Sequence, residues 1–542
     1  MTHPKIIQMD PRDNVLVALA EIPAGIEVEQ NGHSFVLTQT IPAKHKFATV
    51  TLSAGAEVIM YGVIVGRART PIEVGGLLTT SNVVHDAAGF VGKEHDTHWT
   101  APNITRWIRR SFDGYHRTDG QVGTRNYWLV VPLVFCENRN IDALREAFEE
   151  ELGYGKPKQY RELVRTLIQE LTHGESSTPF IPITPPRAFP NVDGIKFLTH
   201  QGGCGGTRDD ARALCGLIAG YIHHPNVAGA TVLSLGCQHS QSSILFEELK
   251  HRNPSFTKPV LLFDQQDSGL ESNLISSAIQ ATFRALVQAN HNIRKPAPIS
   301  KLTLGLKCGG SDGFSGISAN PAIGYVSDLV AALGGKSILS EFPELCGVEQ
   351  SLINRCETAQ TADKFIHLMR SYAARAKAVN SGFEMNPSPG NIRDGLLTDA
   401  MKSAGAARKA GTSPVKDVLD YPEYVQQDGL SLLCTPGNDV ECVTAQVGAG
   451  ANIVLFTTGL GTPTGNPIAP VVKLSTNSIL AQKMSDIIDI DTGAIIDGTR
   501  TIEAMGEDIL ELVLKVASGQ TLTKAETLRQ EDFIPWKRGV SL

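Results

Sequence analysis

Six apolar runs recur along the chain, and each is followed by a loop rich in glycine and polar residues. Short continuous apolar runs bounded by turn residues are typical of strands buried on both faces. The runs are residues 195–198, 232–235, 302–306, 338–339, 430–433 and 453–456. Helical spacing of apolar residues after several runs predicts an α/β protein with parallel sheet. In such sheets the loops at the strands' carboxyl ends form the ligand crevice, so the pattern predicts one large site.

The loop at 199–211 (THQGGCGGTRDDA) is the most distinctive of the six. It joins a predicted strand to a helix, with Thr207 or Asp209 placed to cap the helix. Its four glycines allow the backbone to approach a ligand closely, and amides at a helix N-terminus favour an anion.

The first 90 residues differ from the rest of the chain. Short apolar runs at 15–19, 35–37, 47–52 and 58–65, separated by Pro/Gly turns, predict a small all-β module. Residues 91–116 are polar and aromatic without a period, which indicates a linker. A domain at 117–298 follows the linker, and the last domain covers 299–542.

The pattern also predicts the elements of the 117–298 domain. A strand at 127–135 is followed by helical segments over 141–172, which are interrupted at 153–158. A Pro-rich loop at 179–190, a strand at 260–263 and a helix at 271–290 come after them.

Composition narrows the class of protein. The 542 residues carry a net charge of −7, so no basic face indicates a nucleic-acid partner. The chain has no apolar run of membrane-spanning length and no secretory segment at its start. Nine cysteines without an export signal favour reduced thiols and a cytoplasmic location.

Several longer motifs resemble the altronate dehydratase family, which includes galactarate dehydratase and the sulfolactate sulfo-lyases. They are DGQVGTRN at 119–126, HQGGC at 200–204, LGC at 235–237, KCGGSDGFSG at 307–316, NP at 320–321, EFPE at 341–344, PSPGN at 387–391, TPG at 435–437 and FTTG at 456–459. The β module resembles the family's SAF (β-clip) domain through IPAKHKFA at 41–48 and YGVIVG at 61–66.

The resemblance implies a multidomain α/β hydro-lyase of sugar-acid (hexuronate) catabolism. It would use Fe²⁺ or Mn²⁺ to dehydrate a small sugar acid, most closely D-altronate, to 2-dehydro-3-deoxy-D-gluconate. It also implies a Rossmann-like, metal-holding third domain and a second domain that can form a homodimer interface. Two departures matter. The SAF pattern His-x-His-Asn is replaced by Leu78–Asn82 with His85 beyond it, and Cys434 stands where a carboxylate is expected.

Dehydration at C2 and C3 of a sugar acid needs a base, an acid and positive charge for the enediolate. We therefore predict catalytic roles for His200, His239, Lys307 and Glu344. Substrate-binding candidates are Arg125, Arg208, Lys307, Gly309 and Gly310, because arginine can hold a carboxylate bidentately. Metal-ligand candidates are Cys204, Cys237, Cys308, Asp312, Glu341 and Asp439.

Structural roles compete with these assignments. A free cysteine is often a small core residue, and this is our interpretation of Cys215, Cys356 and Cys442. The glycines at 459–465 do not have the spacing of a dinucleotide fingerprint, so NAD is rejected. Three alternatives stay open: a galactarate dehydratase, an iron–sulfur hydro-lyase using three loop cysteines, and a non-catalytic sugar-acid sensor. Cluster ligands often come as close C-x-x-C pairs, which the chain lacks.

Overall fold

A computed structural model describes residues 5–30, 32–155, 159–173 and 186–542. The chain forms two compact units: residues 1–114 with 295–536, and residues 115–294 with 537–542. Most of the predicted Pro-rich loop (179–185) and part of the predicted helix interruption (156–158) lie outside the described residues. No described helix combines the length and apolar character that crossing a membrane requires.

The N-terminal module of the first unit is built from short strands, as predicted. They are β1 (Ile6–Ile7), β2 (Val15–Ala18), β3 (Glu27–Gln30), β4 (His33–Val36), β5 (Lys46–Ala48), β6 (Glu57–Met60), β7 (Val63–Ala68) and β8 (Val83–Val84). The run at 58–65 is a hairpin and not one strand, because Tyr61 (φ 57°) and Gly62 (φ 73°) turn the chain between β6 and β7. Buried apolar residues such as Leu16, Ile41 and Phe47 form the module's core.

The second unit carries a four-stranded parallel sheet in the order β12-β11-β13-β14. Its elements, with the strand that enters it, are β9 (Ser111–His116), β10 (Val122–Gly123), β11 (Tyr127–Pro132), α1 (Asn138–Glu149), α2 (Gln159–His173), β12 (Gly194–Phe197), α3 (Arg208–His223), β13 (Val227–Ser234), α4 (Ser242–Arg252), β14 (Val260–Asp264), α5 (Gln265–Ser268) and α6 (Glu271–Ala289). The stretch interpreted as a linker therefore ends in strand β9. Thr207 caps α3 by accepting from the Asp210 amide.

The remainder of the first unit contains a seven-stranded parallel sheet in the order β18-β19-β17-β16-β20-β21-β22. Its elements are β15 (Arg294–Pro298), β16 (Thr303–Cys308), α7 (Ala319–Ala332), β17 (Lys336–Leu339), α8 (Glu349–Arg355), α9 (Ala359–Ala378), α10 (Pro389–Arg393), α11 (Asp399–Ala407), β18 (Val415–Leu419), β19 (Gly429–Leu433), α12 (Asp439–Gly448), β20 (Ile453–Thr458), β21 (Val471–Ser475), α13 (Ser478–Lys483), β22 (Ile490–Asp491), α14 (Gly493–Ile496), α15 (Ile502–Ala517) and α16 (Lys524–Thr527).

All six apolar runs form strands, and the predicted α/β class with a leading β module is confirmed. The runs do not belong to one sheet, however. Those at 195–198 and 232–235 contribute to β12 and β13 in the second unit, and the other four lie in the seven-stranded sheet. The prediction of one shared site assumed a single sheet, so the loops must be considered in two groups.

Candidate active site

A buried cluster of charged side chains lies at the carboxyl ends of β16, β17 and β19, which are neighbours in the sheet. Lys307 and Cys308 are the last residues of β16, and Glu341 follows β17. The register pairs Leu306 with Leu339, so the ends of β16 and β17 are level and deliver these side chains to one point. Asp439 begins α12 after β19.

Two lysines share the Glu341 carboxylate. Lys307 donates to Glu341 Oε1, and its Nζ lies 3.0 Å from Asp439 Oδ1. Lys409 donates to Glu341 Oε2 at 2.6 Å and to Cys308 Sγ at 2.8 Å. All of these residues are buried except Asp439, whose side chain is 28% exposed. Asp439 therefore marks the side of the cluster that faces solvent.

A third lysine holds the second glutamate. Lys402 on α11 donates to Glu344 Oε1 at 2.8 Å, while Glu344 Oε2 lies 3.6 Å from Cys308 Sγ. Burial alone would raise the Glu344 pKa, but Lys402 and Lys307 lower it to about 2. Glu344 is therefore ionised at neutral pH.

The lysines of the cluster stay charged and its thiol stays neutral. Burial alone would lower the Lys307 pKa, but Glu341 and Asp439 raise it well above the ordinary value. Burial and the nearby Glu341 carboxylate raise the pKa of the Cys308 thiol to about 11. The cluster can therefore offer buried ammonium groups to an anion that replaces a carboxylate partner.

Backbone geometry keeps the cluster compact. Glu341 has a φ of 67°, an uncommon conformation for a residue with a side chain, and it turns the chain sharply after β17. A Cβ at Gly309 would lie 2.5 Å from Asp439 Oδ2 and 2.6 Å from the Phe456 ring. Position 309 therefore requires glycine, because Asp439 and Phe456 lie too close for a side chain. Gly310 has a φ of 58°, a conformation that also favours glycine.

Asp312 lies in a different cluster, which involves the β module. Lys44 bridges Asp312 Oδ2 at 3.0 Å and Asp394 Oδ1 at 2.7 Å. Thr476 Oγ1 donates to Asp312 Oδ2 at 3.0 Å. Lys46 is fully buried beside this pair and donates to the Gly395 carbonyl at 2.6 Å. Burial lowers the Lys46 pKa to about 7.

The other predicted site residues lie in the second unit. Both ring nitrogens of His200 are engaged by the backbone, at Pro132 O (2.8 Å) and the Gly202 amide (3.1 Å). Burial lowers the His200 pKa to about 4, so the ring is neutral and positions its loop. Arg125 is buried and donates to Thr124 O, whereas Arg208 is exposed at the start of α3. His239 is half-buried, and Cys204 and Cys237 are exposed.

Comparisons with known proteins cover both units. Residues 299–541 match the D-galactarate/altronate dehydratase C-terminal family, and residues 114–290 match the D-galactarate dehydratase/altronate hydrolase second domain. Residues 4–86 match the altronate/galactarate dehydratase SAF domain. The chain belongs to the altronate/galactarate dehydratase family. It is a dehydratase, a carbon–oxygen lyase that releases water.

Similar proteins extend over the full length of this dehydratase. Altronate dehydratase of Escherichia coli (strain K12) is 32% identical over 541 residues, covering 99% of both chains. Altronate dehydratase of Bacillus subtilis (strain 168) is 31% identical over 540 residues, again 99% of both chains. Galactarate dehydratase (L-threo-forming) of Escherichia coli (strain K12) is 30% identical over 524 residues, covering 94% of this chain and 91% of the relative.

The metal expected for this dehydratase family can be tested against the donor atoms. Within the described residues, one group of Cys, His, Asp and Glu donors lies close enough for a single ion: Cys308, Glu341 and Glu344, within 4.8 Å of one another. Lys409 Nζ, however, already lies between Cys308 Sγ and Glu341 Oε2. An ammonium and a divalent ion at such short range repel strongly in a buried site. The group therefore does not fit a resident divalent metal.

Sequence reasoning missed Lys402, Lys409 and Asp399. The two lysines lie in an Ala- and Gly-rich stretch (400–410) that belongs to no quoted motif. Asp399 is buried, and burial with the nearby Glu344 carboxylate raises its pKa well above the ordinary value. The sequence did contain one indication of this site. A stretch of small residues can pack closely against its neighbours, so the two lysines within it were candidates for burial.

Proposed function

We propose that this dehydratase acts on D-altronate and forms 2-dehydro-3-deoxy-D-gluconate. The supporting observation is coverage: both altronate dehydratases match this chain over 99% of their own length, against 91% for the galactarate dehydratase. The reaction removes the C2 proton and the C3 hydroxyl, and the resulting enol becomes the 2-keto product. One water leaves for each substrate molecule.

The lysine–carboxylate cluster supports a role for each of its groups. The Lys307 ammonium lies next to Asp439, whose side chain is partly exposed to solvent. It binds the substrate carboxylate and stabilises the enediolate. Glu344 is ionised, and its Oε2 is not the oxygen held by Lys402. We assign it as the base for the C2 proton once the substrate carboxylate binds Lys307, because this neutralises one of the charges that lower the Glu344 pKa. Burial and the Glu344 carboxylate raise the Asp399 pKa well above its ordinary value, so we assign Asp399 as the acid that protonates the departing hydroxyl. The catalytic role predicted for His239 stays a prediction.

A substrate panel tests the assignment. We expect turnover of D-altronate to exceed that of other hexonates and of galactarate and glucarate by at least tenfold in kcat/KM. A pocket that binds the substrate hydroxyls through hydrogen bonds discriminates strongly against a wrong configuration, because its polar groups are then unpaired. The measurement is formation of the 2-keto product under initial-rate conditions. Preferred turnover of galactarate would assign the enzyme to the hexarate branch, and binding without turnover of any acid would indicate a sensor.

We also propose a requirement for a metal, Fe²⁺ or Mn²⁺, as the family resemblance implies, bound at a place other than the group of Cys308, Glu341 and Glu344. Treatment with a strong chelator is expected to abolish turnover, and return of one of the two ions should restore it. Metal content of the purified protein, measured alongside activity, provides the check. Full turnover by protein from which all metal has been removed would refute the requirement. A cytoplasmic location likewise stays a prediction from the sequence.

The proposed homodimer has a candidate interface on α2. Six large apolar side chains of this helix are exposed and form one stripe at helical spacing: Tyr160, Leu163, Val164, Leu167, Ile168 and Leu171. Leu171 is 86% exposed and Tyr160 is 73% exposed. A contiguous exposed apolar patch often marks a contact surface.

The spacing of the stripe is symmetric about the middle of α2, which favours a second copy of the chain as its binding partner. An antiparallel pairing about a two-fold axis between residues 165 and 166 would place 160 against 171, 163 against 168, and 164 against 167. The same pairing places Arg161 opposite Glu170 of the partner subunit. Apolar residues thus meet apolar residues, and opposite charges meet at both ends.

Charge exchange tests this interface. Arg161→Glu is expected to weaken the dimer because it places two glutamates opposite each other, and Arg161→Glu with Glu170→Arg should restore it. Leu167→Glu should give a monomer. Light scattering after gel filtration measures the mass, with Arg284→Glu as a control on another helix of the same unit. A monomeric wild-type protein, or a Leu167→Glu variant that stays dimeric, would contradict the proposal.

A further inference from the structure

Three cysteines of the second unit differ from the other six. Cys136, Cys204 and Cys237 are exposed, whereas Cys346 is half-buried and the remaining five are buried. The three follow β11, β12 and β13, which are adjacent parallel strands with β11 in the centre. Their loops therefore emerge side by side at one edge of the four-stranded sheet.

Hydrogen bonds join the three loops directly. The Phe135 amide, next to Cys136, donates to Gly202 O at 3.1 Å. The amides of His239 and Ser240 donate to Gly203 O at 2.9 and 3.1 Å, which ties the Cys237 loop to the residue before Cys204. Ser240 Oγ also donates to Leu133 O. Each of the three cysteines therefore lies within two residues of a hydrogen bond that joins its loop to the loop of another of these cysteines.

The central loop has a conformation built for close packing. Gly203 has a φ of 101°, and a Cβ there would lie 2.3 Å from Leu133 O, so no other residue fits without displacement of the backbone. Within the described part of the chain, no carbonyl or side chain accepts a hydrogen bond from the amides of Cys204, Gly205 and Gly206. Free amides next to a helix N-terminus favour a negatively charged group.

The three exposed thiols do not form a site for a single ion, but this does not conflict with an iron–sulfur cluster. Among the described residues, the donors close enough for a single ion are those of Cys308, Glu341 and Glu344, and the three exposed thiols are not part of such a group. In an iron–sulfur cluster the thiolates bind different irons, so their sulfurs stand further apart than the ligands of one ion. Soft thiolates also select iron–sulfur clusters over Mn²⁺.

We propose that Cys136, Cys204 and Cys237 hold a cubane iron–sulfur cluster through three of its irons, with the fourth iron free of cysteine. The cluster is anionic when held by thiolates, and the amides of residues 204–206 favour that charge. β14, the remaining strand of the sheet, ends at Asp264 and brings no fourth cysteine. The cluster is proposed in addition to the Fe²⁺ or Mn²⁺ requirement described above, and it is independent of which sugar acid is the substrate.

Anaerobic reconstitution tests the site in the full-length protein. The protein is incubated with ferrous iron, sulfide and a thiol reductant, desalted, and analysed for iron, acid-labile sulfide, visible absorbance and electron paramagnetic resonance after reduction. We expect about four irons and four sulfides per chain, the composition of a cubane cluster. We also expect a broad sulfur-to-iron charge-transfer band.

Matched variants separate this site from adventitious iron. Cys136→Ser, Cys204→Ser and Cys237→Ser should each lose most of the bound iron, the band and the resonance signal, whereas Cys346→Ser in the first unit should keep them. Circular dichroism shows whether each variant is folded. Iron without sulfide, a disulfide among the three cysteines with no cluster, or a folded triple variant that keeps the band would each overturn the proposal. Because every readout is spectroscopic or analytical, failure here leaves the altronate assignment to its own test.

Discussion

Replacement of Lys307 with methionine is expected to lower kcat/KM by about 10²-fold or more, the scale for removal of one preorganised charge donor. Lys307 is fully buried and contacts both Glu341 and Asp439 at the side of the cluster that faces solvent. Methionine fills a similar volume but offers no charge to the substrate carboxylate or the enediolate. Glu341 keeps Lys409 as a partner, so the fold should survive.

The measurement compares steady-state kinetics with thermal unfolding. Lys364→Met, which removes an ion pair with Glu423 at the surface of the same unit, is the control and should leave both quantities nearly unchanged. A purely structural role for Lys307 would lower the unfolding midpoint while the folded protein keeps its turnover. Near-normal kcat/KM in a soluble Lys307→Met protein would end the proposed role.

Glu341→Gln is expected to reduce the free energy of unfolding by about 3–5 kcal/mol, the usual effect of removing one partner of a buried ion pair. The physical reason is that Lys307 and Lys409 share this carboxylate. Without it, two buried ammonium groups lose their common counter-charge and repel each other. Activity should fall as well, because the ammonium groups lose their fixed positions.

Thermal and denaturant unfolding of the full-length protein measure this loss, and Glu423→Gln serves as the exposed control. The double variant Glu341→Gln, Lys409→Met should recover part of the lost stability. It removes the ammonium group that loses its Glu341 partner, whereas Lys307 keeps Asp439. An unchanged unfolding midpoint in Glu341→Gln would mean that the buried network does not exist in solution.

The strands were predictable from the sequence because burial on both faces leaves a continuous apolar run. This worked for β16, β17, β19 and β20 and for β12 and β13. It failed at Tyr61 and Gly62, where a two-residue turn is hidden inside an otherwise apolar run. The apolar pattern also could not show that the runs belong to two sheets, because long-range packing decides which strands pair with each other.

The candidate site was predictable only where its residues follow strands. Lys307, Cys308, Glu341 and Glu344 were selected because strand-end loops meet at one edge of a sheet, and the structure brings them together. Lys402 and Lys409 come from the segment around α11, whose approach to this edge depends on helix packing. Spacing along the chain carries no information about that approach.

The bridge from Lys44 to Asp312 and Asp394 limits how this enzyme can be re-engineered. A chimera that exchanges the leading β module with that of a distant relative would bring a foreign side chain to two carboxylates, Asp312 fully buried and Asp394 mostly so. Module exchange should therefore succeed only when the donor supplies a lysine at this place, or when both aspartates are exchanged with it.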